Sequence, residues 1–408
     1  MIALLLAVSL AAQPGDRITE IRVHGNHTTP DADIIAMSGL AVGQPFTDTA
    51  RAASEQRLRE TDRFAGVVVQ RRFLSIADPS QILVMIVVDE RAAVTEDDLT
   101  PGPMRRVRAA GMWMPILSYA DGYGLTYGAR IAFIEPLGRA SRVSVPLTWG
   151  GERRAGVDLE RTFEHGPFSV ARGSAAASRR VNPHFDLEDE RLELRMRGER
   201  ALTPWLRAGG GGRTARVAFG GEADRHDAIG ADIALDTRID PSFPRNAVYA
   251  SLGVEQLRFG HGTRQHAERA TTDVRGYAGA VGSSVVALRA FVQTSNTALP
   301  ASAQPMLGGS DTLRGYRGGA RAGDNLASLS AEIRIPVNSP LSVGRFGVKG
   351  FVDVGTTWNV GQRLRARTFD RGVGGGIYFG GGPVIADMAV ARSRQGRYRF
   401  HVGLGLNL

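Results

Sequence analysis

The sequence predicts a mainly β protein, with one small α+β domain followed by a sixteen-stranded antiparallel transmembrane β-barrel. Three observations predict this class. The chain opens with an apolar segment of the kind that directs secretion, residues 1–13. Residues 17–92 then mix helical and strand patterns. From about residue 120 the helical period gives way to short alternating segments separated by Gly, Pro, Asn and Asp.

The composition narrows the range of functions. None of the 408 residues is Cys, which excludes a disulfide framework and a Cys-based metal site. Lys349 is the only lysine among 50 basic residues, and the net charge is +9. A clustered basic surface is typical of nucleic-acid binding. Here the basic residues are spread along the chain among 41 acids, so we expect solvated or lumen-facing charges and no nucleic-acid partner.

Residues 1–13, MIALLLAVSLAAQ, have the pattern of a secretory signal peptide. The apolar run Ile2–Leu10 ends in small residues, Ser9 and Ala11, that are spaced for signal-peptidase cleavage. A buried N-terminal helix is the alternative. No other segment reaches the length of about 18 apolar residues that a membrane helix needs. A secreted chain with this pattern is either soluble or a β-barrel.

The small α+β domain is expected at residues 14–94. The string ITEIRVHGN alternates like a strand and ends in a Gly-Asn turn signal. Two helices follow, the first opened by Thr29-Pro30 and the second capped near Thr47. The β-branched runs GVVVQRRFL and QILVMIVVDE are typical of strands. The predicted order is strand, helix, helix, strand, strand, and residues 95–119 are expected to form a linker that leads to the barrel.

Residues 120–408 show the alternation of a membrane barrel. The final string RYRFHVGLGLNL places aromatic and aliphatic side chains at every second position, with Arg, His, Gly and Asn between them. One apolar face toward lipid and one polar face toward a lumen are typical of a transmembrane β-barrel. A soluble β-sandwich also has one apolar face. The secretion signal, the charged second face and the terminal strand favour the barrel.

Sixteen strands fit between residue 123 and the C-terminus, the first at 123–134, with weak assignments at 203–211, 213–220 and 270–282. An even number places both ends of the barrel sequence on one side of the membrane. With the small domain in the periplasm, odd strands run outward, and the segment 295–326 between strands eleven and twelve is extracellular in origin. It is the longest loop, and such loops are usually functional or disordered.

That loop contains LGGSDTLRGYRGG, residues 307–319. Its two Gly pairs allow sharp turns, so we expect a hairpin that folds back into the lumen with Arg314 at its tip. A guanidinium in a confined lumen needs acidic partners. By strand parity Glu332 and Asp353 both face inward and are candidates. The alternative is that Arg314 is one solvated loop arginine among many.

Four sequence strings carry a family resemblance. The first domain, with IRVHGN and its order of elements, resembles a POTRA domain. LRGY (313–316) resembles the signature of a lumen-inserted loop, FVDVG (351–355) the barrel-strand motif paired with it, and AEIRIP (331–336) the strand before that. On these motifs the chain resembles the BamA-type superfamily of outer-membrane assembly and translocation barrels, also called bacterial surface antigens. The resemblance covers nearly the whole mature chain.

The resemblance implies a sixteen-stranded barrel in the bacterial outer membrane and a POTRA domain in the periplasm. It implies a loop lock formed by Arg314, Gly315 and Tyr316. Asp353 would be the main lumen partner of Arg314, and Glu332 the second partner.

The resemblance also extends to the C-terminus. HVGLGL (401–406) is similar to the family's C-terminal targeting signal, in which polar, Gly and apolar positions recur. The residues that carry this signal would be His401, Gly403, Leu404, Leu406 and Leu408. Leu408 stands where the family usually has an aromatic residue. Because Gly weakens strand interiors, the glycines also predict a weakly held seam between the first and last strands.

The function implied is the assembly of outer-membrane proteins or the translocation of proteins, without nucleotide, cofactor, metal or catalytic residues. Its partners would be outer-membrane lipids and unfolded client proteins that add a strand to the POTRA sheet near Val67–Val69. The chain departs from larger relatives: one POTRA domain is visible, without a plug helix or a G-x-S-x-G lipase motif. The sequence does not name the client.

Two other functions remain open at this point. A passive pore or lipid-handling channel would use the lumen arginines to select anions. A barrel enzyme would need a Ser-His or Asp-His constellation. The suggestive clusters are His226-Asp227 and the string GHGTRQHAER (260–269), with His261 and His266, both expected in turns. Satisfied surface histidines are the simpler explanation.

Overall fold

A computed structural model describes residues 17–61, 63–73, 81–90, 111–138, 140–241, 243–260, 265–337, 345–364, 367–381 and 384–406. The chain divides into two compact units, Met1–Gly111 and Met112–Leu408. The signal peptide expected at 1–13 and residues 95–110 of the expected linker lie outside the described residues.

The first unit is a three-stranded sheet with two helices. The sheet order is β1-β3-β2, with β1 parallel to β3 and β2 antiparallel to it. The chain order is strand, helix, helix, strand, strand, as the sequence predicts. The elements are Arg17–His24 (β1), Asp31–Ser38 (α1), Asp48–Glu60 (α2), Phe64–Phe73 (β2) and Gln81–Glu90 (β3).

Capping and burial fix the two helices on this sheet. The Thr47 side chain accepts a hydrogen bond from the Ala50 amide at 3.1 Å and caps α2. Helix α1 ends at Gly39, whose φ of 68° is the left-handed conformation that favours Gly. Ile34 of α1 and Leu58 of α2 are fully buried against the β-branched residues of β3. Truncating such a core side chain to Ala typically costs about 2–5 kcal/mol.

A carboxylate closes the turn that follows β1. The Glu90 side chain, at the end of β3, accepts hydrogen bonds from the backbone amides of His27, Thr28 and Thr29 at 2.7–2.9 Å. Burial alone would raise the pKa of Glu90, but the Thr29 side chain and these amides outweigh it and hold the pKa below its ordinary value. The ionised carboxylate therefore stabilises the start of α1.

The edge of β2 is not free along its whole length. The Val69 amide donates to Oε1 of Glu55 at 3.0 Å, and the Val67 carbonyl accepts from Arg59 at 3.0 Å. Both side chains come from α2, which packs on β2. This is the edge at which the sequence predicts client binding. Helix side chains thus occupy two of the backbone groups that an added strand would use.

The second unit is a closed antiparallel barrel of sixteen strands, in which each strand pairs with its neighbours in the barrel sequence and β21 closes on β4. Two further two-residue strands, β15 and β16, pair with each other and are not part of the barrel sheet. The strands are Gly111–Ala120 (β4), Gly124–Ile134 (β5), Ser141–Gly150 (β6), Glu152–Thr162 (β7), Val170–Asn182 (β8), Leu187–Thr203 (β9), Leu206–Phe219 (β10), Glu222–Asp236 (β11), Ala247–Phe259 (β12), Gln265–Gly279 (β13), Val285–Ser295 (β14), Met306–Leu307 (β15), Arg321–Ala322 (β16), Asn325–Val337 (β17), Arg345–Trp358 (β18), Asp370–Gly381 (β19), Val384–Ser393 (β20) and Tyr398–Leu406 (β21).

Two strand assignments differ from the sequence prediction. The first barrel strand is β4 at 111–120, within the segment expected to be linker, so the strand predicted at 123–134 is the second. The predicted strands 203–211 and 213–220 are one strand, β10. A Pro inside β4 and a run of four Gly inside β10 caused both errors, because these residues usually mark strand ends. The errors cancel, and the predicted number of sixteen strands is confirmed.

The two faces of the wall differ in chemistry. On β9, Leu192, Leu194 and Met196 are exposed on the outer face, and the charged residues between them face the lumen. Between the adjacent strands β13 and β14, Arg289 pairs with Asp273 at 3.0 Å. Among the described residues, no helix is long and apolar enough to cross a membrane. An apolar outer face around a charged interior is the pattern of a transmembrane barrel.

Candidate functional site: a loop docked inside the barrel

The long segment between β14 and β17 folds back on itself. It contains a 3₁₀ turn at Ala301–Ala303 and the hairpin of β15 with β16, in which Leu307 pairs with Arg321. Gly308 and Gly309 follow β15 with φ values of 120° and 83°, which favour Gly. The turn brings the tip of the loop against the inner wall, where Leu307, Leu313 and Leu326 form a small buried cluster.

Arg314 lies at this tip and is 7% exposed. Its Nε and Nη2 donate to the two carboxylate oxygens of Asp353 at 2.7 and 2.8 Å, and its backbone amide donates to the same carboxylate at 3.0 Å. Nη1 donates to Glu332 at 2.6 Å, and Nη2 also donates to the Ser330 hydroxyl at 3.0 Å. The guanidinium is therefore bonded to three side chains of the wall.

Strand register brings the partners together. Ser330 on β17 is paired directly with Asp353 on β18, and Glu332 with Phe351, so the four side chains form one patch on the lumen face. The Arg314 guanidinium lies 3.4 Å from the centroid of the Phe351 ring. The aromatic face covers the cation on the side that the carboxylates leave open.

Neighbouring charges balance this patch. Arg334 donates to Glu332 at 2.7 Å, and Lys349 lies 3.8 Å from the same carboxylate. Lys349 also pairs with Asp387 on β20. Three cations and three carboxylates thus alternate across β17, β18, β20 and the loop tip. Balanced charge is expected for buried ions, because an unpaired charge in a confined space is costly.

The arrangement is suited to holding a loop in place. The acids are acceptors already occupied by cations, and the Asp353 carboxylate receives three donors from Arg314 and one from Ser330. Bidentate contact of this kind combines strength with a fixed geometry. Removing one partner of a buried pair typically costs about 3–5 kcal/mol, because the remaining charge loses its compensation.

A wall glycine that the sequence pattern does not single out admits the loop tip. Gly372 on β19 is paired with Asp353. A Cβ added to Gly372 would lie 1.8 Å from the Arg314 carbonyl oxygen, so a side chain at this position cannot coexist with the docked tip. A Gly inside a strand can mark the close approach of another backbone. The string DRGVGGG carries that signal, but its several glycines hide which one matters.

Gly315 and Tyr316 extend the contact toward β19, β20 and β21. Gly315 has a φ of 92°, and its amide donates to Nε2 of His401 at 2.8 Å. The Tyr316 hydroxyl lies 3.4 Å from Oδ1 of Asp370 and accepts from the Arg394 amide at 3.3 Å. In the turn between β8 and β9, Nδ1 of His184 lies 2.8 Å from the Gly319 carbonyl oxygen.

The C-terminal residues singled out in the sequence divide between two places. His401 is 1% exposed and faces the loop, and Gly403 is paired with Asp387. The Leu404 backbone pairs with Tyr119 of β4. Leu406 ends β21, and Leu408 lies outside the described residues. The structure therefore connects His401 with the loop site, a link that the targeting pattern alone does not suggest.

Of the histidines considered for catalysis, the structure describes His226 and His266. His226 and His266 lie on strands β11 and β13 rather than in turns, because both hairpins are tighter than the sequence indicates. Nε2 of His226 lies 3.7 Å from Asp224, and its ring packs edge-on against Phe259, while Asp227 bonds Thr214. His261 lies outside the described residues. Within the described ranges, no three His, Asp or Glu residues are grouped to hold a metal ion.

Sequence comparison identifies the family. A profile described as the Omp85 superfamily domain matches residues 125–408, more than half of the chain. The chain belongs to the Omp85 superfamily. A second profile, described as a surface antigen variable number repeat of the POTRA type, matches residues 17–91. Omp85 proteins are insertion and translocation barrels rather than enzymes. Membership of this superfamily indicates a location in the bacterial outer membrane.

Solved structures share the fold of this Omp85 chain at low sequence identity. BamA from Haemophilus ducreyi lacking POTRA domains 1–3 has a TM-score of 0.62 and 14% identity, over 95% of this chain and 83% of that one. CdiB from Acinetobacter baumannii has a TM-score of 0.53 and 11% identity, over 96% and 74%. CdiB from Escherichia coli has a TM-score of 0.52 and 13% identity, over 96% and 76%. No curated protein matches the chain.

Proposed function

We propose that this Omp85 chain inserts client proteins into the outer membrane, or translocates them, by opening the seam between β4 and β21. The observation that carries the proposal is the seam itself. Among the described residues, Leu404 and Tyr119 are the only paired residues between these strands, whereas other neighbours pair over many residues. A short ladder costs little to open, and the two released edges can template a client hairpin.

The opening requires no nucleotide in this proposal. Exchange of the seam pairing for pairing with a client conserves backbone hydrogen bonds, so the step needs no external energy source. The docked loop holds the neighbouring wall in register through Arg314 and Asp353. The first unit lies in the periplasm in this proposal, where unfolded clients arrive before they reach the membrane.

We infer that the sheet of the first unit receives the client by strand addition. Strands β1 and β2 are the edges of that sheet. At β2, a client must displace the Glu55 and Arg59 side chains from Val69 and Val67. Protected edges limit aggregation, and here the protection consists of side chains that rotate away more easily than a paired strand does.

Reconstitution tests the proposal. The full chain is folded into vesicles, and an unfolded eight-stranded outer-membrane barrel is added without nucleotide. We expect faster folding of this probe than in empty vesicles. Equal rates in the two preparations would contradict insertion activity.

A locked seam tests the mechanism separately. The chain has no Cys, so Cys at Tyr119 and Leu404 forms a defined disulfide pair. We expect oxidation to abolish the acceleration and reduction to restore it. A matched pair placed within the ladder of β5 and β6, at Ile131 and Val145, should crosslink without effect. Full activity of the oxidised seam would show that insertion does not use seam opening.

A passive pore is the second candidate, favoured by the charged lumen wall. The docked loop argues against it, because Arg314 brings the loop into the lumen against β17 and β18. Single-channel conductance separates the two. An anion pore predicts steady anion current that Arg314→Ala changes little, whereas a docked loop predicts low conductance that rises in this variant.

A further inference from the structure

His401 lies where three segments of the barrel meet. It is on β21, and its side chain is buried. Nε2 accepts a hydrogen bond from the Gly315 amide of the loop tip at 2.8 Å. Nδ1 lies 2.7 Å from Oδ2 of Asp121, the residue that follows β4. One imidazole thus contacts the loop, the last strand and the end of the first strand.

The contacts define the state of the ring. A ring nitrogen that accepts a hydrogen bond carries no proton, so Nε2 is unprotonated and the neutral ring carries its proton on Nδ1. Nδ1 therefore faces the Asp121 carboxylate with its N–H. The approach is short but out of line with the ring N–H, so it is an electrostatic contact rather than an aligned hydrogen bond. The two nitrogens have different roles, one toward the loop and one toward the seam.

The seam has little backbone pairing near this point. The described pairing of β21 with β4 is Leu404 with Tyr119, and the same register would set position 401 opposite position 122. The side-chain contact between His401 and Asp121 therefore crosses the seam just beyond the paired residues. With so short a ladder, one such contact is a substantial part of what holds the two strands together at this end.

The loop also packs on the other side of the seam. A Cβ added to Gly318 would lie 2.0 Å from the Asp121 carbonyl oxygen, and one added to Gly309 would lie 3.3 Å from the Asp121 Cβ. The loop tip thus contacts Asp121 directly and His401 through Gly315. The docked loop therefore contacts both residues of the seam contact, His401 and Asp121.

We propose that His401 is a positioning residue that makes closure of the seam depend on the docked loop. When Gly315 is in place, its amide holds the ring so that Nδ1 faces Asp121. When the loop leaves, the ring loses this hydrogen bond and the seam contact weakens. The inference deepens the proposed function, since it assigns the control of seam opening to this loop.

The test measures coupling between the loop and the seam, with no client present. The readout is the rate of disulfide formation between Cys at Tyr119 and Leu404, which falls as the seam opens. Arg314→Ala is used to release the loop. In the parent chain we expect this change to slow the disulfide by about three- to tenfold, the range for loss of one hydrogen bond.

The decisive variant is His401→Asn. An Asn amide nitrogen occupies roughly the place of Nδ1, so it keeps a donor toward Asp121, but nothing reaches Gly315. We expect the seam disulfide to form about as slowly in this variant as in Arg314→Ala, because Gly315 no longer holds the side chain that faces Asp121. Adding Arg314→Ala should then cause no further slowing, which is the signature of a coupled pair in a double-mutant cycle.

His184→Gln is the matched control, because His184 contacts the loop at Gly319 and not at Gly315. In that background Arg314→Ala should still slow the disulfide. Heat-modified migration on gels verifies that each variant has a folded barrel. Equal slowing by Arg314→Ala in the parent and in the His401→Asn chain would overturn the proposal, as would no slowing in the parent. Either result leaves client insertion to be judged by the vesicle experiment alone.

Discussion

At the scale of single residues, the loop site depends on one cation whose bonds are nearly all internal. Arg314 has two carboxylates, a hydroxyl and an aromatic face around it. Few side chains other than Arg can make these contacts from position 314. The guanidinium is planar and meets Asp353 with two parallel donors, a geometry that an ammonium group lacks.

We expect Arg314→Ala to release the loop without unfolding the barrel. The loss leaves Asp353 and Glu332 facing each other inside the wall, and the cost is about 3–5 kcal/mol for a dry pair, less in a wet lumen. Proteolysis of segment 296–324 should accelerate while the sixteen-stranded barrel stays heat-modifiable. Arg314→Lys should restore protection only in part. Unchanged proteolysis in the alanine variant would mean that other contacts hold the loop.

Gly372→Ala should displace the loop tip although it removes no bond. The added methyl group would lie 1.8 Å from the Arg314 carbonyl oxygen, so the tip or β19 must move. We expect the same gain in loop proteolysis as in Arg314→Ala. Gly376→Ala does not serve as a control, because its Cβ would also meet backbone. Gly375→Ala is the better match, since its nearest atom is 3.2 Å away, and it should leave the loop protected.

At the residue scale, the sequence predicts some members of the loop site and not others. Strand parity alone placed Glu332 and Asp353 on the same wall as the loop, because alternation needs no knowledge of the tertiary fold. It could not identify Gly372 or the link between His401 and Gly315. Both depend on which segments touch across the barrel, 58 and 86 positions apart in the sequence, and no local pattern encodes that distance.

At the scale of elements, two strands show what local rules miss. β4 contains Pro115, which cannot donate to a ladder and usually marks an edge. The rule is physically correct here, because β4 borders the seam, but it led to the strand being assigned as linker. β10 contains Gly209–Gly212 in its middle, and its neighbours β9 and β11 keep it continuous. Tertiary pairing overrides weak local propensity.

The turn at the start of α1 predicts a pH dependence of the first unit. The pKa of Glu90 is lower in the folded state than in the unfolded chain, so its stabilisation is complete above the unfolded value of about 4.3. It is lost as the pH falls through the folded value. We expect the amides of residues 27–29 to lose hydrogen-exchange protection as the pH falls below about 4.3, after correction for intrinsic rates. In Glu90→Gln, protection should be low already at pH 7 and independent of pH.

The protected edge of β2 gives a prediction about client capture. Glu55→Ala removes the carboxylate that accepts from the Val69 amide, so this amide becomes available to an added strand. We expect tighter binding of an unfolded β-strand peptide to the full chain by about three- to tenfold, the value of one hydrogen bond, with a small loss of stability in the first unit. Gln56→Ala, on the same helix and bonded only to Glu60, is the control. Equal affinity in the two variants would direct attention to the β1 edge instead.

At the scale of the whole molecule, the predicted class of a small α+β domain before a sixteen-stranded barrel is confirmed. The class was accessible because alternation recurs along nearly 300 residues, and errors in single strands do not change the sum of so many repeats. The seam was less accessible. Its position depended on the one strand that the sequence assigned to linker, so the first strand was expected near Tyr127 and not near Tyr119.

Topology can be tested on intact cells. We expect added protease to spare residues 20–90, because they lie on the periplasmic side in our proposal, and a tag inserted near Ala301 to be reachable from outside. Permeabilised cells provide the control in which both sites become accessible. Cleavage within residues 20–90 of intact cells would reverse the orientation.

The seam pair joins positions 119 and 404 of the sequence, whereas Arg314 reaches Asp353 across 39 positions. The entropy of closing a chain segment grows with its length, and contacts between distant positions form late. We therefore expect the loop to dock while the barrel is still an open sheet. His401 on the last strand then arrives at a surface already formed by Gly315. In this order of folding, the loop is the template on which the newly made barrel closes its own wall.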